Sequence, residues 1–570
     1  MQSISHDVLV IGAGLAGQRA AIEAKAWGCD VGIVSKVHPV RSHSVAAAGG
    51  INAAIGKGDD WKAHFKDTVY GSDFLGDQDA IEILCKDAPA RVREMESWGV
   101  VFSRTEKGDI AQRPFGGQTT PRTCYAADRT GHMLLHTLYD QLMKSNPAIY
   151  PEHYALSLIL EQNTCKGVIM YDIEHGKLIE ARAKSVLLAT GGYGQAFSTT
   201  TNAKINTGDG LSLAFNAGLP LQDMEMVQFH PSGMYGKGYL VSEASRGEGA
   251  YLLNAKLQRF MKNYAPAKME LASRDVVARA ITTEMLEGRG AGTKKDHVWL
   301  DVRHLGKKKI MERIPEIFQT VQHQLGIDCT KELIPIVPTA HYSMGGIPTD
   351  TNARVVIDAH RTPIHGLFAA GEVACVSVHG ANRLGGNSLL ETLVFGRIAG
   401  QEMAKHAKAL PRTFPSIDSI HLEQAQKRLM HLQNRTTGTR PALVREQLQS
   451  MMMRDCGIFR NAQGLENGLR AWKRIQAKAS QLMLEDKSAY FNTDLVEALE
   501  TQNLIAFSQT ILASAAARKE SRGSHMRTDY IKRDDKQWLK HTLARKGPAQ
   551  VLLDYKPVVI KNYKPEARHY

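Results

Sequence analysis

The chain opens with apolar runs and a glycine turn in the order typical of a nucleotide-binding βαβ unit. Residues 6–11, His-Asp-Val-Leu-Val-Ile, predict a buried strand, and residues 31–34, Val-Gly-Ile-Val, predict a second one. An Ala-rich stretch between them predicts a helix to about Trp27. The turn before this helix reads Gly12-Ala13-Gly14-Leu15-Ala16-Gly17. Because a G-x-G-x-x-G turn between a strand and a helix directs the helix N-terminus at phosphate, these residues predict a dinucleotide site.

Two later apolar runs end in small residues in a similar way. Residues 186–192 read Val-Leu-Leu-Ala-Thr-Gly-Gly, and residues 366–372 read Gly-Leu-Phe-Ala-Ala-Gly-Glu. Flavoproteins with two dinucleotide-binding folds resemble this arrangement and close the nucleotide site with such strands. On that resemblance, the FAD-binding domain covers residues 1–222 and 340–410, and residues 223–339 form an inserted capping domain. A hinged cap of this kind gates access to a site and excludes water.

Residues 411–570 differ in composition and pattern from the predicted FAD-binding domain. Residues 411–520 contain few glycines and predict a helical domain, in which Met451–Met453 would serve packing rather than metal binding. Residues 521–570 are basic and Tyr-rich without a clear period, and we expect them to wrap the FAD-binding domain or to contact a partner. The predicted fold class is therefore α/β: a Rossmann-like FAD-binding domain with an inserted α+β capping domain, then a helical domain and an irregular C-terminal tail.

The end of the second predicted strand departs from the NAD pattern. An acidic residue usually stands there to accept hydrogen bonds from the ribose hydroxyls. This chain has Ser35 and Lys36 instead, and a lysine cannot accept those bonds. The sequence therefore disfavours NAD.

Length, net charge and cysteine content narrow the class of protein to which the chain can belong. A chain of 570 residues predicts about three or four domains. The net charge of +13 fits nucleic acid, an anionic membrane surface or an anionic substrate, but no nucleic-acid-binding signature accompanies it. The seven cysteines form no Cys-x-x-Cys pair, so we expect no metal, iron–sulfur cluster or c-type haem in this chain. We find no export signal, transit peptide or membrane-length apolar run, and we expect reduced thiols on the cytoplasmic side.

Several segments place polar or cationic residues in loops framed by glycine or proline, which is typical of positioned functional loops. The first, residues 36–50, carries Arg-Ser-His-Ser and then small residues that let backbone approach a flat ligand. The most specific is residues 379–388, His-Gly-Ala-Asn-Arg-Leu-Gly-Gly-Asn-Ser. The others are Gln228-Phe229-His230-Pro231, Ser242-Glu243, Ser273-Arg274-Asp275 and Pro338-Thr339-Ala340-His341-Tyr342. Together these motifs resemble the flavoprotein subunits of succinate dehydrogenase and fumarate reductase, and matching blocks touch every predicted domain.

The resemblance implies a covalent FAD attached to His43. It also implies that the cofactor-binding residues are the glycine-rich turn Gly12, Ala13, Gly14, Leu15, Ala16 and Gly17, with Ser35, Lys36, Ser42, Ser44, Gly49, Gly50, Asp209, Glu372, Ser388 and Leu389. Ser388 and Leu389 begin a predicted helix whose N-terminus can face an electron-rich flavin edge.

The substrate implied by the resemblance is the dicarboxylate pair succinate and fumarate. Arg383 and His341 would hold one carboxylate, and His230 and Ser242 the other. A hydride would leave one methylene carbon for the flavin, and a proton would leave the neighbouring carbon toward Arg274.

Glu243 would relay that proton. The role is demanding for Arg274 because a guanidinium has a pKa above about 12. The alternative reading of Arg274 is a salt bridge to Asp275 or Glu243 at a helix start.

Other expectations concern partners and direction. Lacking its own clusters, the chain would pass electrons to an iron–sulfur subunit and on to quinone. Membrane-anchor subunits would hold it peripherally at the cytoplasmic face of the cell membrane, with no nucleic-acid partner. A processed organellar protein is the alternative that the absence of a transit peptide leaves open.

Ala48 stands where relatives commonly carry Gln or Glu, which leaves the preferred direction open between succinate oxidation and fumarate reduction. An L-aspartate oxidase-like enzyme and a non-catalytic flavoprotein remain alternatives. The Arg-Ser-His sequence opposes the first, and the retained substrate residues oppose the second.

Overall fold

A computed structural model describes residues 2–414 and 416–568. The predicted FAD-binding domain begins with ten strands and five helices. The strands are β1 (Gln2–Ile11), β2 (Val31–Ser35), β3 (Ile51–Asn52), β4 (Gln112–Arg113), β5 (Thr123–Cys124), β6 (Ala148–Pro151), β7 (His153–Glu161), β8 (Thr164–Asp172), β9 (Lys177–Leu188) and β10 (Leu221–Gln222). The helices are α1 (Leu15–Ala26), α2 (Trp61–Gly71), α3 (Gln78–Trp98), α4 (Thr130–Ser145) and α5 (Asp209–Asn216).

The middle of the chain is the segment predicted to form the capping domain, called the cap below, and the chain then returns to the predicted FAD-binding domain. The cap contains β11 (Val227–Met234), α6 (Ala244–Gly247), β12 (Tyr251–Leu253), α7 (Arg274–Leu286), β13 (Val298–Asp301), α8 (Lys307–Arg313), α9 (Pro315–Leu325) and β14 (Ile334–Ser343). The returning segment contains β15 (Ile347–Pro348), β16 (Arg354–Val356), β17 (Pro363–Ala369), β18 (Ala374–Cys375) and α10 (Asn387–Ala409).

The last part of the chain is mainly helical. Its elements are α11 (Ile420–Asn434), α12 (Pro441–Cys456), β19 (Phe459–Arg460), α13 (Ala462–Ala479), α14 (Thr493–Ala517), β20 (Met526–Arg527), α15 (Asp535–Trp538), β21 (Lys540–Lys546) and β22 (Val551–Pro557). Met451 and Met452 are buried in the apolar core, as the packing interpretation of the methionine run expects.

The main sheet has eight strands and a parallel centre. Strands β17, β9, β1, β2 and β6 run parallel. Strands β7 and β8 add an antiparallel extension, and β16 pairs antiparallel with β17. The register aligns the carboxyl ends of four parallel strands, at Ala369, Leu188, Ile11 and Val34. Because ligands of open α/β sheets bind outside the carboxyl ends of the strands, this edge is where a cofactor site belongs.

The cap is built on a separate antiparallel sheet with the order β11-β14-β13-β12. It has its own apolar core, which includes Met234, Ile281, Leu300 and Ile336. Strand β14 continues beyond the predicted end of the insertion and reaches Ser343. The cap sheet therefore connects directly to the returning segment of the FAD-binding domain.

The C-terminal segment contains more regular structure than the sequence predicts. Strands β21 and β22 form an antiparallel hairpin, and β21 also pairs with β10 just before the cap begins. The chain around Tyr563 then packs on the FAD-binding domain, where the Tyr563 ring lies 5.5 Å from that of Phe65. The described C-terminal residues therefore contact the predicted FAD-binding domain, and a hairpin stands in place of the irregular tail that the sequence predicts.

Candidate active site

A deep cleft lies at the carboxyl edge of the parallel strands and continues under the cap. It is lined by residues from β1, β2, β11, β14 and α10 together with the loops between them. The structure brings these predicted site residues together in the lining: Gly12, Ala13, Gly14, Leu15, Ala16, Ser35, Lys36, Ser42, His43, Ser44, Gly49, Gly50, Asp209, His230, Ser242, Glu243, Arg274, His341, Glu372, Arg383, Ser388 and Leu389.

Gly17 is the predicted cofactor residue that does not line the cleft. A Cβ atom at Gly17 would lie 1.9 Å from the carbonyl oxygen of Gly12, so this glycine lets α1 pack against the first strand. Gly12 has a positive φ of 108°, and a Cβ there would lie 2.3 Å from the carbonyl oxygen of Ala189. Gly14 caps α1 without a side-chain hydrogen bond of its own, and the first helical amide, that of Leu15, donates to Oγ of Ser44 at 3.4 Å. The amides at a helix N-terminus have no partner within the helix and favour an anion. The turn therefore has the form of a pyrophosphate cradle.

Lys36 occupies the position at which an NAD-binding protein usually has an acidic residue. Its Nζ lies 2.7 Å from Oδ2 of Asp209 and 2.5 Å from Oε1 of Glu500, which comes from α14. Burial lowers the pKa of Lys36, but the two carboxylates outweigh burial and raise it overall. The lysine therefore stays charged and ties the helical domain to the cleft, a role for Glu500 that sequence reasoning missed.

His43 lies in a short 3₁₀ turn at the cleft wall. Its Nδ1 accepts a hydrogen bond of 3.3 Å from the backbone amide of Ala203. Burial lowers the pKa of His43 to about 4, so the imidazole is neutral. Since Nδ1 is the acceptor, Nε2 is the ring nitrogen available for another bond.

The loop after His43 brings backbone close to the cleft. A Cβ at Gly49 would lie 2.8 Å from the ring of Phe115, and a Cβ at Gly50 would lie 2.5 Å from the carbonyl oxygen of Cys124. Buried Arg113 fixes this loop by donating to the carbonyl oxygen of Gly49 at 2.6 Å. Arg113 and Phe115 stand in a block that resembles the family, Arg113-Pro114-Phe115-Gly116-Gly117, but sequence reasoning gave neither residue a role in the site.

The two predicted substrate histidines face each other across the cap sheet. The ring centroids of His230 and His341 lie 4.8 Å apart. Nδ1 of His230 accepts from the amide of Ser232 at 3.2 Å, and Nδ1 of His341 shares a hydrogen bond of 2.7 Å with Thr201. Burial, together with the nearby Arg274, lowers the pKa of both histidines well below the usual value. Both rings are thus neutral and can each donate one N–H.

Arg383 is the strongest candidate for an anion clamp. The side chain is buried, and Nη1 donates to Oγ of Ser388 at 2.9 Å. Its guanidinium lies 4.4 Å from the ring centre of Tyr342, and its Nε has no hydrogen-bond partner among the described residues. Burial, with a contribution from Arg274, lowers the pKa of Arg383 to about 9. A buried cation with an unused N–H edge fits a carboxylate.

Arg274 and Glu243 form a buried ion pair at the same end of the cleft. Nε of Arg274 lies 2.7 Å from Oε2 of Glu243, and its Nη1 donates to Gln228 at 3.1 Å. The salt-bridge interpretation and the site interpretation of Arg274 are therefore compatible, because the residue both pairs and lines the cleft. Burial acts to raise the pKa of Glu243, but Arg274 and Arg246 outweigh it and lower that pKa. Sequence reasoning did not assign Arg246 a role.

Ser242 and Glu372 also line the cleft. Ser242 is buried, and its Oγ accepts from the amide of Ala244 at 3.2 Å, which leaves the hydroxyl proton free to donate. Oε1 of Glu372 accepts from the amide of Ser343 at 3.0 Å. Burial raises the pKa of Glu372 to about 7. Ser388 and Leu389 lie in the first turn of α10, as the sequence predicts.

The cleft fits FAD at one end and a small dianion at the other. The glycine turn suits a pyrophosphate, the glycine backbone near Phe115 suits a flat ring, and the unpaired guanidinium edge suits a carboxylate. Among the described residues, no group of three or more His, Cys, Asp or Glu side chains could hold a metal ion. No helix in the described part of the chain is long and apolar enough to cross a membrane.

The fold and the cleft define a flavin-dependent oxidoreductase, and comparison with known proteins narrows the class. Residues 7–389 match the FAD binding domain family, and residues 445–570 match the fumarate reductase flavoprotein C-terminal family. The chain is 48% identical to the succinate dehydrogenase flavoprotein subunit of Rickettsia bellii, over 99% of this chain and 96% of that protein.

A fumarate reductase flavoprotein subunit of Escherichia coli is 38% identical over 100% of this chain and 96% of its own length. A solved structure of a variant E. coli quinol fumarate reductase has a TM-score of 0.95 at 37% identity, covering 100% of this chain and 99% of that one. The chain therefore belongs to the family of succinate dehydrogenase and fumarate reductase flavoprotein subunits, and it is an FAD-dependent oxidoreductase. The family resemblance inferred from the sequence is confirmed.

Proposed function

We propose that the cleft oxidises succinate to fumarate with FAD bound covalently at His43. The observation that carries the substrate assignment is the buried Arg383, which has an unused N–H edge beside two neutral histidines and a second buried arginine, Arg274. A dianion with carboxylates at both ends matches this arrangement of donors. The R. bellii relative, a succinate dehydrogenase subunit by name, supports the same assignment.

The substrate residues divide between the two carboxylates. Arg383 and His341 hold one, and His230 and Ser242 hold the other. The neutral histidines donate hydrogen bonds without adding the repulsion that two further cations would exert on the arginines. Because the cap contributes His230 and Ser242 and the FAD-binding domain contributes Arg383, substrate bridges the two domains and excludes water when bound.

Arg274 gives one of its protons to Glu243 as it takes the proton that leaves the substrate carbon, so the guanidinium carries its charge before and after the step. Its ion pair with Glu243 at 2.7 Å provides an adjacent carboxylate to take that proton onward. Both side chains are buried, so the transfer takes place away from bulk water. Bound FAD supplies the acceptor for the hydride that succinate loses.

The geometry of His43 supports the covalent link. Its Nδ1 accepts from Ala203, and an imidazole alkylated at Nε2 keeps that lone pair and that hydrogen bond. Acid precipitation followed by denaturing electrophoresis tests the link. Flavin fluorescence should migrate with the wild-type polypeptide and be lost from His43→Ser. Release of all flavin from the wild type would refute the covalent assignment.

The remaining expectations from the resemblance are part of this proposal. They are electron transfer to an iron–sulfur subunit, membrane-anchor subunits, a peripheral position on the cytoplasmic face, and the domain boundaries given above. Absence of a spanning helix among the described residues is compatible with attachment through other subunits. Co-purification of the chain with a cluster-containing partner tests the first of these.

The second candidate is fumarate reduction at the same site. The similarity to the E. coli fumarate reductase supports it, and Ala48 in the cleft lining leaves the direction open. Turnover with succinate and an artificial acceptor, compared with fumarate and a reduced dye, measures the preferred direction. Turnover in neither direction would favour a non-catalytic flavoprotein, and turnover with L-aspartate alone would favour an aspartate oxidase-like enzyme.

A further inference from the structure

A buried group of three hydrogen-bonded side chains lies beside Arg383 and has no part in the chemistry proposed above. Its members, called the buried triad below, are Tyr342 in β14, His379 in the loop that leads to Arg383, and Glu391 in α10. Their exposed fractions are 8%, 4% and 2%. Buried polar groups need partners to offset the loss of hydration, and these three side chains bond to one another.

One carboxylate oxygen joins the members of the buried triad. The hydroxyl of Tyr342 donates to Oε2 of Glu391 at 2.9 Å, and Nε2 of His379 lies 2.8 Å from the same oxygen. Nδ1 of His379 has no hydrogen-bond partner among the described residues, so the hydrogen bonding of this ring is directed at the triad. Burial, with Glu391 and Glu372 acting in the same direction, raises the pKa of Tyr342 well above its ordinary value. The phenol therefore keeps the proton that it donates.

The buried triad connects the two segments that carry the donors for one substrate carboxylate. Tyr342 directly follows His341 in β14, and His379 comes four residues before Arg383 in the same loop. Glu391 bonds to a side chain from each segment and so ties both to α10. The separation of His341 and Arg383 therefore depends on contacts that neither residue makes itself.

The ring of Tyr342 also acts on the charge of Arg383. The guanidinium lies 4.4 Å from the centre of this ring, which is the separation of a cation–π contact. A phenol that donates to a carboxylate gains electron density, so the hydrogen bond to Glu391 strengthens the attraction of the ring face for the cation. The buried triad thus favours one position of Arg383 and favours its charged form there.

We propose that Tyr342, His379 and Glu391 are positioning residues for the substrate carboxylate, because they hold Arg383 against the Tyr342 ring and at a fixed separation from His341. The inference rests on the proposed binding of a succinate carboxylate by Arg383. The buried triad acts through the two carboxylate donors and not on the hydride or the proton. Its disruption should therefore weaken the binding of succinate more than it slows the chemical step.

The experiment measures KM and kcat of the FAD-loaded protein with succinate and an artificial acceptor. Tyr342→Phe keeps the ring and removes the hydroxyl, and Glu391→Gln keeps the size of the side chain and removes its charge. We expect each change to raise KM for succinate about three- to tenfold and to leave kcat within about twofold of the wild type. Glu391→Asp should recover most of the wild-type KM, because it keeps the carboxylate.

Tyr171→Phe is the matched control for Tyr342→Phe. Tyr171 is 1% exposed, and its hydroxyl donates to the carbonyl oxygen of Ala489 at 3.4 Å, outside the lining of the cleft. The control therefore removes one buried phenol hydroxyl without touching the buried triad, and KM for succinate should stay at the wild-type value.

A double variant tests whether Tyr342 acts through Arg383. In an Arg383→Gln background, Tyr342→Phe should change KM by less than about twofold, because the guanidinium that transmits its effect is already absent. A rise of KM in this background equal to the rise in the wild-type background would contradict the proposed route.

The pH profile gives a readout that packing alone would not move. Burial, followed by Arg274, lowers the pKa of Arg383 to about 9, whereas three groups act to raise it: Tyr342, Glu372 and Glu243. Loss of the Tyr342 hydroxyl should therefore lower the pKa of Arg383 further. The fall of kcat/KM at alkaline pH should begin at a lower pH in Tyr342→Phe than in the wild type or in Tyr171→Phe.

Several results would overturn the inference. Unchanged KM in both Tyr342→Phe and Glu391→Gln would do so, and so would an equal rise of KM in Tyr171→Phe. Lower kcat at unchanged KM would assign the buried triad to the chemical step instead. If both triad variants fail to fold or lose their flavin, the contacts serve stability and the inference is wrong. Absence of wild-type turnover would refute the proposed function, whereas wild-type turnover with unchanged variants refutes the positioning role alone.

Discussion

Replacing Arg383 with glutamine tests whether the guanidinium of this residue binds a substrate carboxylate. In the structure, Nη1 is engaged by Ser388, so the Nε–Nη2 edge is the one that can grip a carboxylate. A hydrogen bond between charged groups contributes about 1.5–3 kcal/mol, so loss of two such bonds removes about 3–6 kcal/mol. At 1.4 kcal/mol per tenfold change, kcat/KM for succinate should fall by roughly 10²–10⁴.

The assay is steady-state reduction of an artificial acceptor by succinate, with flavin content measured in the same samples. Arg354→Gln serves as the control, because this arginine is 45% exposed and pairs with Asp350 outside the cleft. Loss of such a partly exposed pair is worth about 0–1 kcal/mol and should leave kcat/KM nearly unchanged. The reasoning is refuted if Arg383→Gln keeps its flavin and loses less than about threefold in kcat/KM, which corresponds to under about 0.7 kcal/mol.

Other predictions concern pH, packing and the adenosine end of the cleft. Burial lowers the pKa of Arg383 to about 9, so the guanidinium is charged below that pH. The value of kcat/KM for succinate should therefore fall as the pH rises above about 9. A profile of kcat/KM that stays flat to about pH 10.5 would contradict this interpretation. Gly17→Ala should lower flavin occupancy and stability by about 1–3 kcal/mol, since the added Cβ would lie 1.9 Å from a carbonyl oxygen; equal occupancy and melting temperature would oppose it. Lys36→Met should destabilise by roughly 3 kcal/mol because Asp209 and Glu500 would stay buried without their cation; thermal melting measures it, and an unchanged melting temperature would refute the pairing.

Local signals were enough to predict the FAD-binding half of the fold. The alternation of apolar runs and the glycine turn predict β1, α1 and β2, and the structure has them at Gln2–Ile11, Leu15–Ala26 and Val31–Ser35. Such elements depend on neighbours close in sequence. The C-terminal hairpin was missed because residues 521–570 show no clear period of apolar residues, although β21 and β22 are close in sequence. The pairing of β21 with β10 joins residues far apart in the chain, which no local pattern records.

The same dependence on local sequence explains which site residues were predicted and which were missed. His43, Arg274 and Arg383 were found because each stands in a loop with a recognisable motif, and the structure brings them to one cleft. Glu500 was missed because α14 approaches the cleft only in the folded protein, where its carboxylate meets Lys36. Gly17 was assigned to the cofactor because the motif cannot separate a glycine that touches ligand from one that only lets a helix pack.

The central claim is that this cleft removes hydrogen from succinate, and anaerobic mixing with succinate tests it most directly. The purified FAD-loaded protein should lose the visible absorbance of oxidised flavin, and fumarate should form in an amount equal to the flavin reduced. Arg383→Gln should require far more succinate for the same change. If the wild type keeps its oxidised spectrum at saturating succinate and forms no fumarate, the assignment of the cleft to succinate oxidation is wrong.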